Sequence, residues 1–315
     1  MTMTTTMTMT NSETDTRPRR LTTDDINSII ETQLEVWPMA RENFERLRDT
    51  RRKPLPLGDF PAAAQLNPAR IKSTGAKIDK ASIESRPCFL CSKNRPAEQI
   101  SIPWMRGWEL LVNPYPILPV HFTIASTEHR PQDRIPLEMA AMAEAAPDLV
   151  IFFNGARAGA SAPDHLHLQG VLKTELPLIR IAEENHREGM PPIVWSDSFG
   201  LDLPYGFYSA VITPDERGAK TLLALTQIKG TDAETGLEDA GLVNAFFWTG
   251  SDGLLRAAVV PRRRHRPSCY AATGDEQITV SPGAIDIAGL LILPITKDFE
   301  KTDAKTAKKI YQEVC

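Results

Sequence analysis

Between Thr22 and Arg52 the apolar residues Ile26, Ile29, Ile30 and Leu34 recur at helical spacing. Thr22 or Thr23 can cap the first turn, and Asp24 and Asp25 sit where the helix dipole favours acid. Pro38 kinks or divides this helix, because its ring clashes with the preceding turn. Residues 53–61, "KPLPLGDFP", read as a proline-rich connection. From Ala62 the pattern shortens into strand-like runs bounded by turn residues: "AAAQLNPARI", "CFLC", "WELLVNPYPI" and "HFTIAS". A helix is predicted over 136–146, stopping at Pro147-Asp148, and "LVIFFN" follows as a strand. The runs "PIVWS", "FYSAVI", "AFFWT" and "RAAVVP" predict further strands around a helix at 219–229, with a last helix at 301–313.

This is an α+β pattern built on a mostly antiparallel sheet with flanking helices. It divides into a disordered tail (1–20), an N-terminal helical segment and linker (21–60), and two strand-rich halves (61–180 and 181–315). The halves read as two copies of one unit in pattern, although no repeat is visible in the residues themselves.

With 315 residues, 42% of them hydrophobic, the chain can form one large domain or two fused units of about 150. A net charge of -4 gives no electrostatic reason to expect a nucleic-acid polymer as partner. The local exception is "PRRRHRP" at 261–267, which suits phosphate or a solvated turn. No apolar run approaches the ~20 residues that span a bilayer, so no membrane partner is expected. The opening "MTMTTTMTMT" lacks the basic start and apolar centre of a signal peptide and reads as low-complexity tail. Of the 4 cysteines only Cys88 and Cys91 are close together, as in a reducing compartment. A cytoplasmic location is expected.

Candidate chemistry gathers at 161–170, "SAPDHLHLQG". In a strand, His165, His167 and Gln169 share one face, while Leu166 and Leu168 face a core. A polar strand face in water accounts for one histidine easily, but poorly for His-x-His-x-Gln behind a Ser/Gly loop. The two-residue spacing of Cys88 and Cys91 lets both thiolates reach one ion, although it also fits a redox couple or ordinary buried cysteines. Completing a four-ligand site needs two of His121, His129, His165 and His167, and two sulfurs with two nitrogens suit zinc. If the metal takes His165, His167 is left as a nucleophile toward phosphorus, splitting a transfer into two displacements. Gln169 supplies an amide donor for a phosphoryl oxygen. Ser161, Gly155, Gly159 and the intervening backbone amides offer donors for developing charge.

On these residues a resemblance emerges. "NPYPILPVHFTIASTEH" (113–129) and "FFNGARAGASAPDHLHLQ" (152–169) resemble the two signature regions of the histidine triad superfamily. The likeness is to its transferase branch: galactose-1-phosphate uridylyltransferase, the dinucleoside tetraphosphate phosphorylases, and GDP-galactose phosphorylase of plants. That branch has glutamine, here Gln169, where the hydrolases carry a third histidine. The resemblance implies that His167 is the covalent nucleophile and that Cys88, Cys91, His129 and His165 bind structural zinc. It extends more weakly to "AAAQLNPAR" and "VSPGAIDIAGLLILPITKDFE", covering about 60–300 with its specific motifs in 88–170. Asp164 and Leu166 stand where the uridylyltransferases have proline, as in the phosphorylases, whereas the plant enzymes lack the cysteine pair. The uridylyltransferases' sugar-binding residues do not map.

The expectation is a nucleotidyltransferase. The nucleoside monophosphate of a nucleotide-sugar or dinucleotide passes to His167, then to phosphate or a sugar 1-phosphate, with inorganic phosphate the favoured acceptor. Asn154, Gly159, Ser161 and Gln169 contact the phosphates, and Arg70 and Lys72 supply positive charge from the first strand. Alternatives are hexose-1-phosphate exchange of the uridylyltransferase type and a non-catalytic nucleotide-binding regulator; Gln169 speaks against a hydrolase. Assembly of the protein as a homodimer is a further expectation.

Overall fold

The computed structural model describes residues 17–75 and 80–315, except for the side chains of Lys72, Ser73 and Lys80. Helix α1 (Thr23–Val36) starts at a capping box in which Thr22 and Asp25 exchange backbone and side-chain hydrogen bonds. Pro38 divides the predicted helix: Trp37 is extended, and α2 (Pro38–Glu45) begins anew with proline at its first turn. The proline-rich stretch read as a connection is instead strand β1 (Arg51–Leu57), paired antiparallel with β2 (Phe60–Leu66) across Gly58-Asp59. Proline is tolerated there because β1 is an edge strand and needs no ladder donor on its open side. Exposed Pro54 and Pro56 alternate with buried Leu55 and Leu57. Gly58 takes the positive φ of 66° that the two-residue turn demands.

After the short helices α3 (Ile71–Thr74) and α4 (Lys80–Glu84), "CFLC" forms a turn rather than the expected strand, with Cys91 N–H donating to Cys88 O at 3.3 Å. The strands β3 (Ile102–Met105), β4 (Trp108–Val112) and β5 (His121–Ser126) lead into α5 (Glu138–Ala145). Then come β6 (Leu149–Asn154), β7 (His167–Leu172) and α6 (Pro177–Asn185). The second half supplies β8 (Ile193–Trp195), β9 (Tyr208–Ile212) and α7 (Glu216–Thr226), the last starting three residues earlier than expected because Asp215 caps it. The small pair β10 (Gly230–Thr231) and β11 (Glu238–Asp239) precedes β12 (Val243–Thr249) and β13 (Leu255–Pro261). The chain closes with α8 (Ser268–Ala271), α9 (Ala284–Ile287), β14 (Leu290–Leu293), α10 (Thr296–Lys301) and α11 (Ala304–Val314), so two helices replace the single one predicted at the end.

Nine strands form one sheet in the order β3-β4-β5-β7-β6-β12-β13-β9-β8, antiparallel throughout. Two stretches share a topology. In β4-β5-β7-β6 and in β8-β9-β13-β12 the spatial order is first, second, fourth, third, and a helix (α5 or α7) joins the second strand to the third. The third strands, β6 and β12, meet at the centre. The pseudo-repeat absent from the residues is therefore present in the topology.

Both sheet faces are covered. One packs on α1 and α5 through Phe153, Leu168, Phe247 and Val259. The other carries Phe152, Val171, Phe246 and Trp248 and is roofed by α6, α11 and the three-stranded sheet β1-β2-β14. Burial on both faces makes "LVIFFN" a continuous apolar run rather than an alternating one. At the central seam Phe246 pairs with Phe152, their rings 6.2 Å apart and both buried. Phe246→Ala should lower unfolding stability by about 3–5 kcal/mol, the usual loss for a fully buried ring, measured by urea denaturation. A loss below about 1 kcal/mol would mean that the seam is not a packed core.

Candidate active site

The β6–β7 ladder runs from Leu149–Leu172 to Phe152–Gln169 and stops, so the strands splay as they approach Asn154 and His167. Fully buried Gln132, from the loop after β5, fills the gap. Its Nε2 donates to Asn154 O and His167 O, both at 2.8 Å, and its Oε1 accepts His167 N–H at 2.8 Å. Each backbone group left by the broken ladder thus finds a partner. Sequence reasoning missed Gln132, because a lone glutamine in "HRPQDR" carries no local signal.

His167 opens β7, and its Nδ1–H donates to His165 O at 2.8 Å. That bond selects the tautomer with an unprotonated Nε2. Burial depresses the imidazole pKa to about 4, against the His165 carbonyl, which favours the charged ring. The ring is therefore neutral near physiological pH. Gln169 shares the strand face. Ile117 N–H donates to His121 Nδ1 at 3.1 Å, so His121 Nε2 carries the proton and donates to Gln169 Oε1 at 2.7 Å. The oxygen is thereby committed, and the Gln169 NH2 is the end left to donate.

Asn154 is oriented the same way. Its Oδ1 accepts from Ala284 N–H (2.6 Å) and from Asn244 Nδ2 (3.1 Å), while Asn244 Oδ1 accepts from Arg262 Nη1 at 2.6 Å. Arg262 is fully buried and also donates to Val314 O and Pro282 O. Part of the basic stretch 261–267 is thus an internal scaffold rather than a solvated turn. Arg70, Asn154, Gly159, Ser161 and Gln169 line one cavity together with Ile117, Phe152, His265, Arg266, Ser281 and Asp286. Gly159, at φ 97°, has no room for a side chain, since a Cβ would lie 2.4 Å from Gly283 Cα. His167, 4% exposed, is not on the cavity wall but lies two residues before Gln169 on the same strand. Arg70 sits in a 3-10 turn beyond β2, not on the strand as expected, and donates to Tyr115 O at 2.7 Å. The side chain of Lys72 lies outside the described residues.

Cys88, Cys91, His129 and His165 converge, with their ligand atoms all within 4.8 Å of one another. Cys88 Sγ to His165 Nδ1 and Cys91 Sγ to His129 Nδ1 are both 3.3 Å, and Cys91 Sγ to His165 Nδ1 is 3.6 Å. A tetrahedral ion with arms of about 2.0–2.3 Å needs edges of about 3.3–3.8 Å, a range that these three separations meet. His165 Nε2 donates to Ser126 O at 2.8 Å, which turns the Nδ1 lone pair toward the thiols. His165 lies ahead of β7 and not on the strand face with His167 and Gln169. Its ring faces the cysteines while its carbonyl sets the tautomer of His167.

This antiparallel sheet with its flanking helices, in which β7 carries His167 and Gln169, is a fold that a solved phosphorylase structure shares. Residues 29–172 match the family described as a domain of unknown function (DUF4922). No curated protein matches the chain. Yeast Ap4A phosphorylase Apa2 in complex with Ap4A superposes with a TM-score of 0.60 at 12% identity, over 91% of this chain and 97% of that one. The same enzyme in complex with AMP gives a TM-score of 0.55 at 12% identity, over 90% and 96%. At such identity the likeness is one of fold. No helix among the described residues is long and apolar enough to cross a membrane.

Two predictions follow from the geometry. Purified protein should hold about one zinc per chain, as one closed four-ligand site does. His129→Ala should lose that metal while His121→Ala keeps it, checked by elemental analysis; retention in His129→Ala would remove His129 from the ligand set. The second concerns acid. Burial, helped by the charge of Arg70, holds His121 at about 3 against an ordinary 6.5, although the Gln169 bond favours protonation. Below pH 6.5 the unfolded chain binds a proton that the folded state refuses, so stability is complete above that pH and is lost as pH falls toward 3. The loss traceable to His121 should reach about 2 kcal/mol near pH 5. His121→Asn should flatten the acid limb of the stability curve, and an unchanged limb would refute the assignment.

Proposed function

We propose that this protein is a nucleotidyltransferase working through a covalent nucleotidyl-histidine at His167, with inorganic phosphate as preferred acceptor. The observation that carries the reading is the locked, neutral tautomer of His167 on the strand face that also presents the Gln169 amide. In the first step the Nε2 lone pair forms the N–P bond, and the bond from phosphorus to the leaving oxygen breaks with its electron pair on that oxygen. In the second, an acceptor phosphate oxygen forms an O–P bond and the N–P pair returns to Nε2, giving a nucleoside diphosphate. Gln169 and Ser161 stabilise charge on the transferring phosphoryl oxygens. Asn154, Gly159, Arg70 and Lys72 hold the flanking phosphates. Zinc at Cys88, Cys91, His129 and His165 anchors the loop whose carbonyl orients His167; it supplies position, not chemistry.

The fold shared with an Ap4A phosphorylase supports a dinucleoside polyphosphate as donor, and a nucleotide-sugar fits the same chemistry. A cytoplasmic location and a homodimer belong to the same proposal. An amide at 169 cannot exchange protons at neutral pH, so it serves an entering phosphate better than an entering water.

The test is incubation with labelled Ap4A and nucleotide-sugars. An acid-labile, alkali-stable adduct should form, vanish in His167→Ala, and be discharged by phosphate far faster than by water. Gln169→Ala should slow transfer by about 10²–10³, the loss of one preorganised donor. Monophosphate release at the same rate without any acceptor would make the protein a hydrolase. Nucleotide binding with no adduct would make it a regulator.

A further inference from the structure

The cavity beside Gln169 is walled by groups whose hydrogen-bonding sense is already decided. Asn154 and Gln169 have their oxygens occupied by N–H donors, so each turns an NH2 toward the remaining space. Arg70 and Arg266 bring positive charge from opposite ends of the chain. Arg266 is held in place by Ser281 Oγ (2.9 Å), Thr74 O (3.1 Å) and the Tyr270 ring, 4.1 Å from its Cζ to the centroid. A wall of donors and cations takes an anion.

One lining group has the opposite sense. Asp286, 7% exposed, accepts Ile292 N–H at Oδ1 (2.7 Å) and Gly283 N–H at Oδ2 (3.0 Å). Each carboxylate oxygen can accept twice, which leaves acceptor capacity on both. A carboxylate among anion-binding donors repels a fully ionised guest but accepts a hydrogen bond from a guest that still carries a proton.

We propose that this cavity is the acceptor subsite of the transferase and that Asp286 selects a protonated tetrahedral oxyanion, hydrogen phosphate, over sulfate. Its role as acceptor subsite rests on the transferase reading; its anion selectivity does not. Near neutral pH inorganic phosphate keeps a proton, whereas sulfate has none to offer. That proton stays on the acceptor during transfer, because another oxygen of the same phosphate attacks. Burial lifts the Asp286 carboxyl to about 6, against two backbone N–H bonds and Arg70, so it is mostly ionised at neutral pH. The basic stretch 261–267 thereby gains a second role: Arg262 is scaffold, and Arg266 is a positioning residue for the anion.

The test is calorimetric titration of the zinc-loaded full chain with phosphate, arsenate, sulfate and selenate, without nucleotide. Phosphate and arsenate should bind about tenfold or more tighter than sulfate and selenate, the worth of one hydrogen bond to a charged group. Arg266→Gln should weaken phosphate by a similar factor. Asp286→Asn should bring phosphate and sulfate together, by weakening the first and strengthening the second. Should Asp286→Asn fail to fold, the wild-type ranking of the four anions still decides. Sulfate within about threefold of phosphate in the wild type, or phosphate affinity unchanged in Arg266→Gln, would overturn the proposal. Selective phosphate binding by a protein that forms no nucleotidyl adduct would keep the selective anion site and discard the transferase.

Discussion

Strands β6 and β7 part after Phe152 and Gln169, and one buried amide, that of Gln132, holds them at that separation. Much of the site depends on this. If the ladder continued, Asn154 and His167 would sit in backbone register and the loop between the strands would have no opening to border. If the splay had no filler, several buried peptide groups would be unpaired, each at a loss of about 1–3 kcal/mol. A side chain able to donate and accept on one rigid fork is what such a gap requires.

Around that splay, side-chain orientation passes inward from groups with a fixed sense. A backbone N–H fixes the His121 tautomer, and His121 fixes Gln169. Arg262, which can only donate, fixes Asn244, and Asn244 fixes Asn154. Ser126 O and the Cys/His cluster hold the His165 ring, while the His165 carbonyl fixes His167. Each chain starts at a group that cannot change its hydrogen-bonding sense. The site's amides and imidazoles are therefore set before any ligand arrives, and preorganisation of this kind lets dipoles act without reorienting.

The pseudo-repeated topology explains where this machinery lies. The two four-strand units meet at β6 and β12, so residues of the second unit stand directly beside those of the first. Asn244 pairs with Asn154 across that seam, and the segments that follow β13, α9 included, bring His265, Arg266, Ser281 and Asp286 to the cavity. His129, His165 and the strand that carries His167 and Gln169 lie within the first unit, and Cys88 and Cys91 come from the turn ahead of β3. The cavity is shared.

What the sequence determined by itself was local. Two-residue spacing announced the cysteine pair, strand alternation put His167 and Gln169 on one face, and apolar runs located most strands of the large sheet. These signals survive in one dimension because a single strand or turn generates them. "KPLPLGDFP" misled because proline argues against a strand unless the strand is an edge, and only the sheet decides which strands are edges. Leu290–Leu293 was unreadable as a strand for a related reason, since its parallel partner, Phe60–Leu66, lies more than two hundred residues away. The residue pattern left His121 and His129 both open as ligands and only the resemblance favoured His129; the tertiary structure places His129 in the Cys/His cluster and turns His121 inward to Gln169. It also enlisted Gln132, Arg262, Arg266 and Asp286, whose roles arise from convergence of distant segments, for which a sequence carries no period or spacing.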